Sequence, residues 1–266
     1  MKTLDNGRYG DQPTPTSGSP VVALQVAHRS VRRFADGEVS DEQLGTLVAA
    51  AQSASTSSNL QAWSVVAVRD PDRKARLAAL AGEQDWITRA AVFLVWVADL
   101  SRARRLAERA GTPLEAPDYL ESTIIGFVDA ALAAQNAVVA AESLGLGCTY
   151  VGAVRNQPGE VAAELGLPHG AVAAFGLAVG VPDPGEDADI KPRLPQGAVL
   201  HLETYDAESA DAHLDAYDEH LAAYNREHGL TGAWTDRVLA RLAGPESMAG
   251  RHTLRAALED LGLPSR

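Results

Sequence analysis

The stretch from Ile124 to Leu146 is the longest apolar run in the chain, and it restricts most how the rest can fold. Residues 122 to about 144 read as one long helix, apolar on every side, and such a helix has to be central, in a core or across a subunit interface. Its alanines and Gly126 permit close backbone approach. Asp129, Gln135, Asn136 and Glu142 interrupt the run, whereas a membrane span holds few or no charges. The segment is therefore expected to be buried in protein, and no membrane partner is expected. Gly145 and Gly147 end it.

Other elements fall around this helix. Residues 21–27 predict a short helix. Ser40 caps a second one, with Gln43 at capping-box spacing and an apolar face of Leu44, Leu47 and Val48. A polar run, Ser53 to Asn59, follows, and residues 64–69 then predict a strand stopped by Asp70-Pro71. Residues 72–80 predict a surface helix. Ala91 to Ala98 is almost wholly apolar, as in a strand covered on both faces. Thr149 to Val151 is expected to be extended, 158–165 a helix ending at Gly166, and 171–181 a third apolar strand closed by Pro182-Asp183-Pro184. Beyond it, 209–228 predict one amphipathic helix with Leu214, Tyr217, Leu221 and Tyr224 on a single side. Two further short helices are expected at 234–242 and 253–261. Such a tail suits wrapping around a partner subunit.

Composition removes several classes of function. With 266 residues, the chain is long enough for one large α/β domain or two small ones. Its net charge of -12 argues against nucleic acid as a partner, which needs an extended basic face. The single cysteine, Cys148, excludes an internal disulfide and suits a reducing, cytoplasmic setting. A small buried hydrophobe is its default role. The first twenty residues are polar and rich in Pro, Gly, Ser and Thr, so residues 1–20 are expected to be a flexible extension and 21–266 the folded domain. Gly145-Leu146-Gly147 lacks the third glycine of a dinucleotide fingerprint and follows a helix. No Walker loop, metalloprotease helix or serine nucleophile elbow is present. His213 and His220, with their acidic neighbours, fit a solvated helix face better than a metal site, so no metal is expected.

Against this acidic background stand two cationic islands. His28-Arg29-Ser30-Val31-Arg32-Arg33-Phe34 gathers three arginines and a histidine, and Lys191-Pro192-Arg193 lies far downstream. Pairing of Arg29, Arg32 and Arg33 with the surplus acids is one explanation. The other is an anionic ligand with a phosphate group, since guanidinium forks match phosphate oxygens and serine hydroxyls add neutral donors. The order of segments favours the ligand: the arginine cluster, then a serine-rich turn, then the Lys-Pro-Arg knot after the last core strand.

Five segments together resemble the nitroreductase family of flavoproteins, in particular its oxygen-insensitive NADPH nitroreductase and NADPH-flavin oxidoreductase group. They are residues 28–34, the turn Ser55 to Gln61, Gly82-Glu83-Gln84, Gly145 to Arg155 and Lys191 to Pro195. The resemblance implies an α+β, three-layer fold around a mixed central sheet, with a C-terminal helical extension wrapping the partner in a homodimer. It implies FMN as bound cofactor and NAD(P)H as co-substrate. The activity implied is ping-pong hydride transfer from NAD(P)H to FMN, then two-electron reduction of nitroaromatics, quinones or free flavin.

By the same resemblance, His28, Arg29 and Ser30 would hold the FMN phosphate and ribityl chain, with Lys191 and Arg193 completing the phosphate cage. Arg32 would lie near the N1/O2 edge of the ring and stabilise reduced flavin. Thr56, Ser57 and Ser58 would line the pocket, and Gln84 would donate to the ring's polar edge. Tyr150, Val151, Gly152 and Ala153 would run along the flavin near N5. No protein residue would act as nucleophile or base, because the flavin carries the chemistry.

Two departures stand out. Ala153 occupies a position where the family often has a second glycine. The loop His228-Gly229-Leu230-Thr231-Gly232-Ala233-Trp234 has no arginine, whereas the resemblance implies several there to bind the 2′-phosphate of NADPH. A weaker preference for NADPH over NADH is therefore expected. Other flavin chemistry in a biosynthetic pathway, or a non-catalytic flavin-binding protein, are the competing readings.

Overall fold

The computed structural model describes residues 3–4, 7–9, 14–186 and 189–266. The chain opens with β1 (Thr3–Leu4), β2 (Thr14–Pro15), α1 (Pro20–Val26) and α2 (Asp41–Gln52). Then come β3 (Trp63–Val68), α3 (Pro71–Leu80), α4 (Asp85–Arg89), β4 (Val92–Asp99) and α5 (Ser101–Ala110). The central stretch holds α6 (Leu120–Ser143), β5 (Gly147–Val151), α7 (Pro158–Leu165) and β6 (Ala171–Gly180). Last are α8 (Ala207–Asp211), α9 (Leu214–Glu227), α10 (Trp234–Leu242) and α11 (Leu254–Asp260). Two compact units result, residues 30–186 with 249–266 and residues 1–29 with 187–248.

The larger unit is built on a four-stranded sheet in the order β3-β4-β6-β5. Every pairing in it is antiparallel, so the expectation of a mixed sheet is corrected. The apolar run of β4 signals burial on both faces, which parallel sheets usually have. Here helices on both sides of an antiparallel sheet give the same burial. Side chains alternate along the strand. Val92, Leu94 and Trp96 face Leu47 of α2 and Ala133, Ala137 and Val138 of α6. Phe93 and Val95 face Leu77 of α3, Ile87 of α4 and Val161 of α7. This is the expected three-layer α+β arrangement. Burying each large aliphatic side chain contributes about 1.5–3 kcal/mol, so β4 and its two covers are the stable centre.

Phe93, whose partner across the sheet is Ala178, has room only because Gly176, two residues earlier on β6, has no side chain: a Cβ there would overlap the Phe93 ring. The local signals hold closely elsewhere. Ser40 and Gln43 close the capping box at the start of α2, with bonds of 3.1 and 3.0 Å. Asp70 caps α3 by accepting from the Arg73 N–H at 2.7 Å. Beyond α6, Gly145 takes the left-handed conformation.

α5 has no counterpart among the expected elements, since residues 101–110 carry a single large apolar side chain, Leu106, which is half exposed. The long helix expected over 209–228 divides into α8 and α9, and no glycine or proline marks the break. The end of the tail belongs to the larger unit, where Leu263 is buried with Ala62, Ala98, Leu100 and Val172. The smaller unit contains β1, β2, α1 and α8 to α10. Tyr217 and Leu221 of α9 are buried, as the amphipathic pattern demanded.

Candidate functional site

The arginine cluster is placed by its one apolar member. Val31 is buried, its N–H donates to the Cys148 carbonyl at 3.0 Å, and its side chain covers Gly147, where a Cβ would clash at 2.8 Å. Further along, Ala35 N–H donates to Val181 O at 2.9 Å, and Phe34 bridges to Pro182. The segment is thus held extended between the start of β5 and the exit of β6. Extended side chains alternate, so Arg32 points away from Val31, and it is exposed. Its guanidinium lies over the Trp86 ring, 5.6 Å from the centroid, and its N–H donates to Glu186 Oε1 at 2.7 Å. Arg33 has a separate structural duty. It pairs with Asp183 at 2.9 Å and donates to the Gly185 carbonyl, pinning the turn after β6.

Around Arg32 the larger unit gathers further predicted residues. Trp86 is two residues from Gln84, whose side-chain amide donates to the Gly82 carbonyl at 3.0 Å. Gly82 and Glu83 are both left-handed, and a Cβ on Gly82 would meet the Asn156 side chain at 3.5 Å. Asn156 ends the short helical turn Gly152–Arg155 that follows β5. Tyr150 packs edge-on against Phe175 at 5.4 Å and its hydroxyl donates to Gln135 Oε1 at 3.4 Å. Burial, with smaller contributions from Cys148 and Glu142, pushes the Tyr150 phenol above its ordinary value. Val151 is buried, and Gly152 and Ala153 are half-buried. Arg32 thus stands beside the Gln84 loop through Trp86, and that loop meets Asn156, which ends the turn that follows β5.

The serine-rich turn hangs on α6 instead. Asp129, 1% exposed, accepts from Thr56 Oγ1 at 2.6 Å, Ser57 N–H at 3.1 Å and Ala62 N–H at 3.0 Å. Thr56 Oγ1 also accepts from Gln61 N–H at 2.8 Å, so its hydroxyl proton is committed to the protein. Arg102 donates to the Gln61 carbonyl at 2.8 Å from the other side. Ser57 and Ser58 are exposed. Asp129 is a residue that sequence reasoning used only to argue against a membrane span. A carboxylate inside an alanine-rich helix was the available signal that a polar partner awaits it.

The smaller unit holds His28, Arg29, Lys191 and Arg193. Arg8 joins the two segments that carry them. Its guanidinium donates to the carbonyls of Val26, at 2.7 Å, and of His28, while its own carbonyl accepts from Arg193 N–H at 2.8 Å. Pro192 is buried and its carbonyl accepts from the Tyr217 hydroxyl at 3.2 Å, which fixes the Lys-Pro-Arg knot on α9. Lys191 lies 5.9 Å from the Tyr224 ring centroid. The clasp ties the backbones of the two segments that carry the four cationic or titratable side chains, and the Arg193 guanidinium donates to the carbonyls of Lys191 at 3.1 Å and Pro192 at 3.2 Å. In the same unit, Asn225 holds the 229–234 loop by donating to the Gly232 carbonyl at 2.7 Å.

Comparison with known proteins identifies the family. The model of the nitroreductase family matches residues 26–181, and that of the family's C-terminal domain matches residues 191–266. The chain belongs to the nitroreductase family. Similar proteins include an FMN reductase (NADPH) of Bacillus subtilis, 41% identical over 220 residues, which cover 80% of this chain and 87% of that one. An oxygen-insensitive NADPH nitroreductase of Salmonella typhimurium is 38% identical over 224 residues, covering 83% and 90%. Among solved structures, B. megaterium NfrA2 superposes with a TM-score of 0.88 at 37% identity, covering 93% of this chain and 99% of its own.

Proposed function

We propose that this nitroreductase-family protein is an FMN-dependent NAD(P)H oxidoreductase acting on nitroaromatics, quinones or free flavin. The observation that carries the reading is the Arg8 clasp, which ties the His28 segment to the Lys191-Pro192-Arg193 knot. In this reading His28, Arg29, Ser30, Lys191 and Arg193 hold the phosphate and the adjoining ribityl chain. Each charge-assisted hydrogen bond contributes roughly 1.5–3 kcal/mol, so two or three retain the cofactor. Bound FMN supplies the hydride chemistry, accepting two electrons from NAD(P)H and delivering them to the acceptor. Arg32 stands as a fixed cation beside the ring, where negative charge develops on reduction. Gln84 orients the ring's polar edge. Tyr150, Val151, Gly152 and Ala153 line it, the small residues allowing close approach. Ser57 and Ser58 present hydroxyls to the cofactor, and Thr56 braces them.

A cytoplasmic homodimer completes the proposal. α6 exposes Leu120, Ile124, Val128 and Leu132 at four-residue spacing, each between 44% and 49% exposed. A stripe of that kind favours a second copy as its cover. An interface site also gives the serine-rich turn a cofactor to line. The decisive experiment is anaerobic stopped-flow reduction of the FMN-loaded protein with NADPH and NADH, followed by a panel of acceptors. Rapid bleaching of the yellow colour is expected with both reductants. The 229–234 loop carries no basic side chain, so kcat/KM for NADPH is expected to exceed that for NADH by well under a hundredfold. Yellow protein that NAD(P)H does not bleach would overturn the proposed activity.

A further inference from the structure

The turn from Thr56 to Ala62 has an unusual backbone. Ser58, Asn59 and Gln61 all have positive φ, at 48°, 56° and 51°, and none of them is glycine. L-residues adopt that region at a cost, and several so close together persist only where surrounding bonds enforce them. Those bonds converge on α6. Asp129 accepts from residues 56, 57 and 62, the first, second and last of the turn, while Thr56 Oγ1 catches the N–H of Gln61, the residue before the last. Arg102 adds a bond to the Gln61 carbonyl. The carboxylate itself is almost wholly buried, and three donors repay its loss of water.

We propose that Asp129 is a positioning residue for the cofactor: its buried carboxylate holds the 56–62 turn in its left-handed path before the cofactor arrives. The inference rests on the reading of residues 56–58 as part of the cofactor pocket. A preformed turn binds without the entropy cost of ordering it, and the cofactor's contacts are then not spent on bending strained backbone. Asp129→Asn keeps the size of the side chain but leaves one oxygen. With that oxygen facing Thr56 and Ala62, the amide group meets the Ser57 N–H, donor against donor. Thr56→Val keeps the shape of residue 56 and removes the link between Asp129 and Gln61.

The test is titration of the apoproteins with FMN, followed by quenching of flavin fluorescence, at a temperature where each variant is fully folded. Asp129→Asn is expected to weaken FMN binding at least about tenfold, equivalent to about 1.4 kcal/mol. Thr56→Val is expected to weaken it about threefold and to speed hydrogen exchange at the Gln61 amide. Val161→Ala, in the core on the opposite face of the sheet, serves as a destabilised control. It should lower the melting temperature while leaving FMN affinity within about twofold, which separates turn positioning from general stability. If Asp129→Asn bound FMN as tightly as the wild type, the inference would fail and the cofactor assignment would stand. Should that variant not fold, unchanged affinity in Thr56→Val would overturn it equally. A wild-type protein that binds no FMN would overturn both.

Discussion

Cys148 and Asp99 show how single side chains are set by their surroundings. Burial first, then the nearby Glu142 charge, pushes the Cys148 thiol up to about 12. The thiolate is the reactive form, so Cys148 is expected to resist maleimide at pH 8 in the folded protein and to react once unfolded. Rapid labelling of native protein would contradict this. Asp99, at the end of β4, is pushed up by burial. Hydrogen bonds from Ser101 and Ser64 and the charge of Arg102 outweigh that, leaving it below its ordinary 3.8. A carboxyl lowered by folding contributes stability above its unfolded value and loses it as pH falls through the folded one. Asp99→Asn should therefore lower the melting temperature at pH 7 more than at pH 3. An equal drop at both pH values would show that the charge is not what Asp99 contributes. Some of this was readable beforehand. A small buried hydrophobe was the default for the lone cysteine, and the cationic residues were legible from their clustering. The ties of Asp129 and Arg8 were not, because a hydrogen bond between residues dozens of positions apart leaves no periodic trace.

Helices and strands divide along a similar line. Elements with local signals appeared where the sequence put them, as with the Ser40 capping box and the Gly166 stop. α5 escaped notice because its charged surface gives no apolar period. The strand directions escaped it because two-sided burial does not depend on which way a neighbour runs. The Ser40 box stabilises α2 by its reciprocal bonds, and Ser40→Ala should cost about 1 kcal/mol in chemical denaturation. A far larger loss is expected from Gly176→Ala, where the new methyl would sit within the Phe93 ring. Overpacking of that kind typically costs about 1–3 kcal/mol, because the buried Phe93 ring has to shift within a closely packed core. Gel filtration and thermal melting of that variant would report it; a melting curve like that of the wild type would show that the ring moves aside easily.

Taken as a whole, the molecule carries the proposed site residues on segments far apart in sequence, most of them in connections between elements and Tyr150 and Val151 on β5. The α6 stripe is the feature whose meaning depends on more than one copy. Val128→Glu should convert the proposed dimer to a monomer in light scattering, and FMN should be lost with it. A dimer that survives this change would place the interface elsewhere. Arg8, finally, would make the N-terminal stretch part of the proposed phosphate site: a shortened version beginning near residue 20 would lack the strut between Val26, His28 and Arg193. Such a protein would purify pale, release its flavin on dialysis and tempt the experimenter to conclude that the family had lost its cofactor, when only a handful of trimmed residues were to blame.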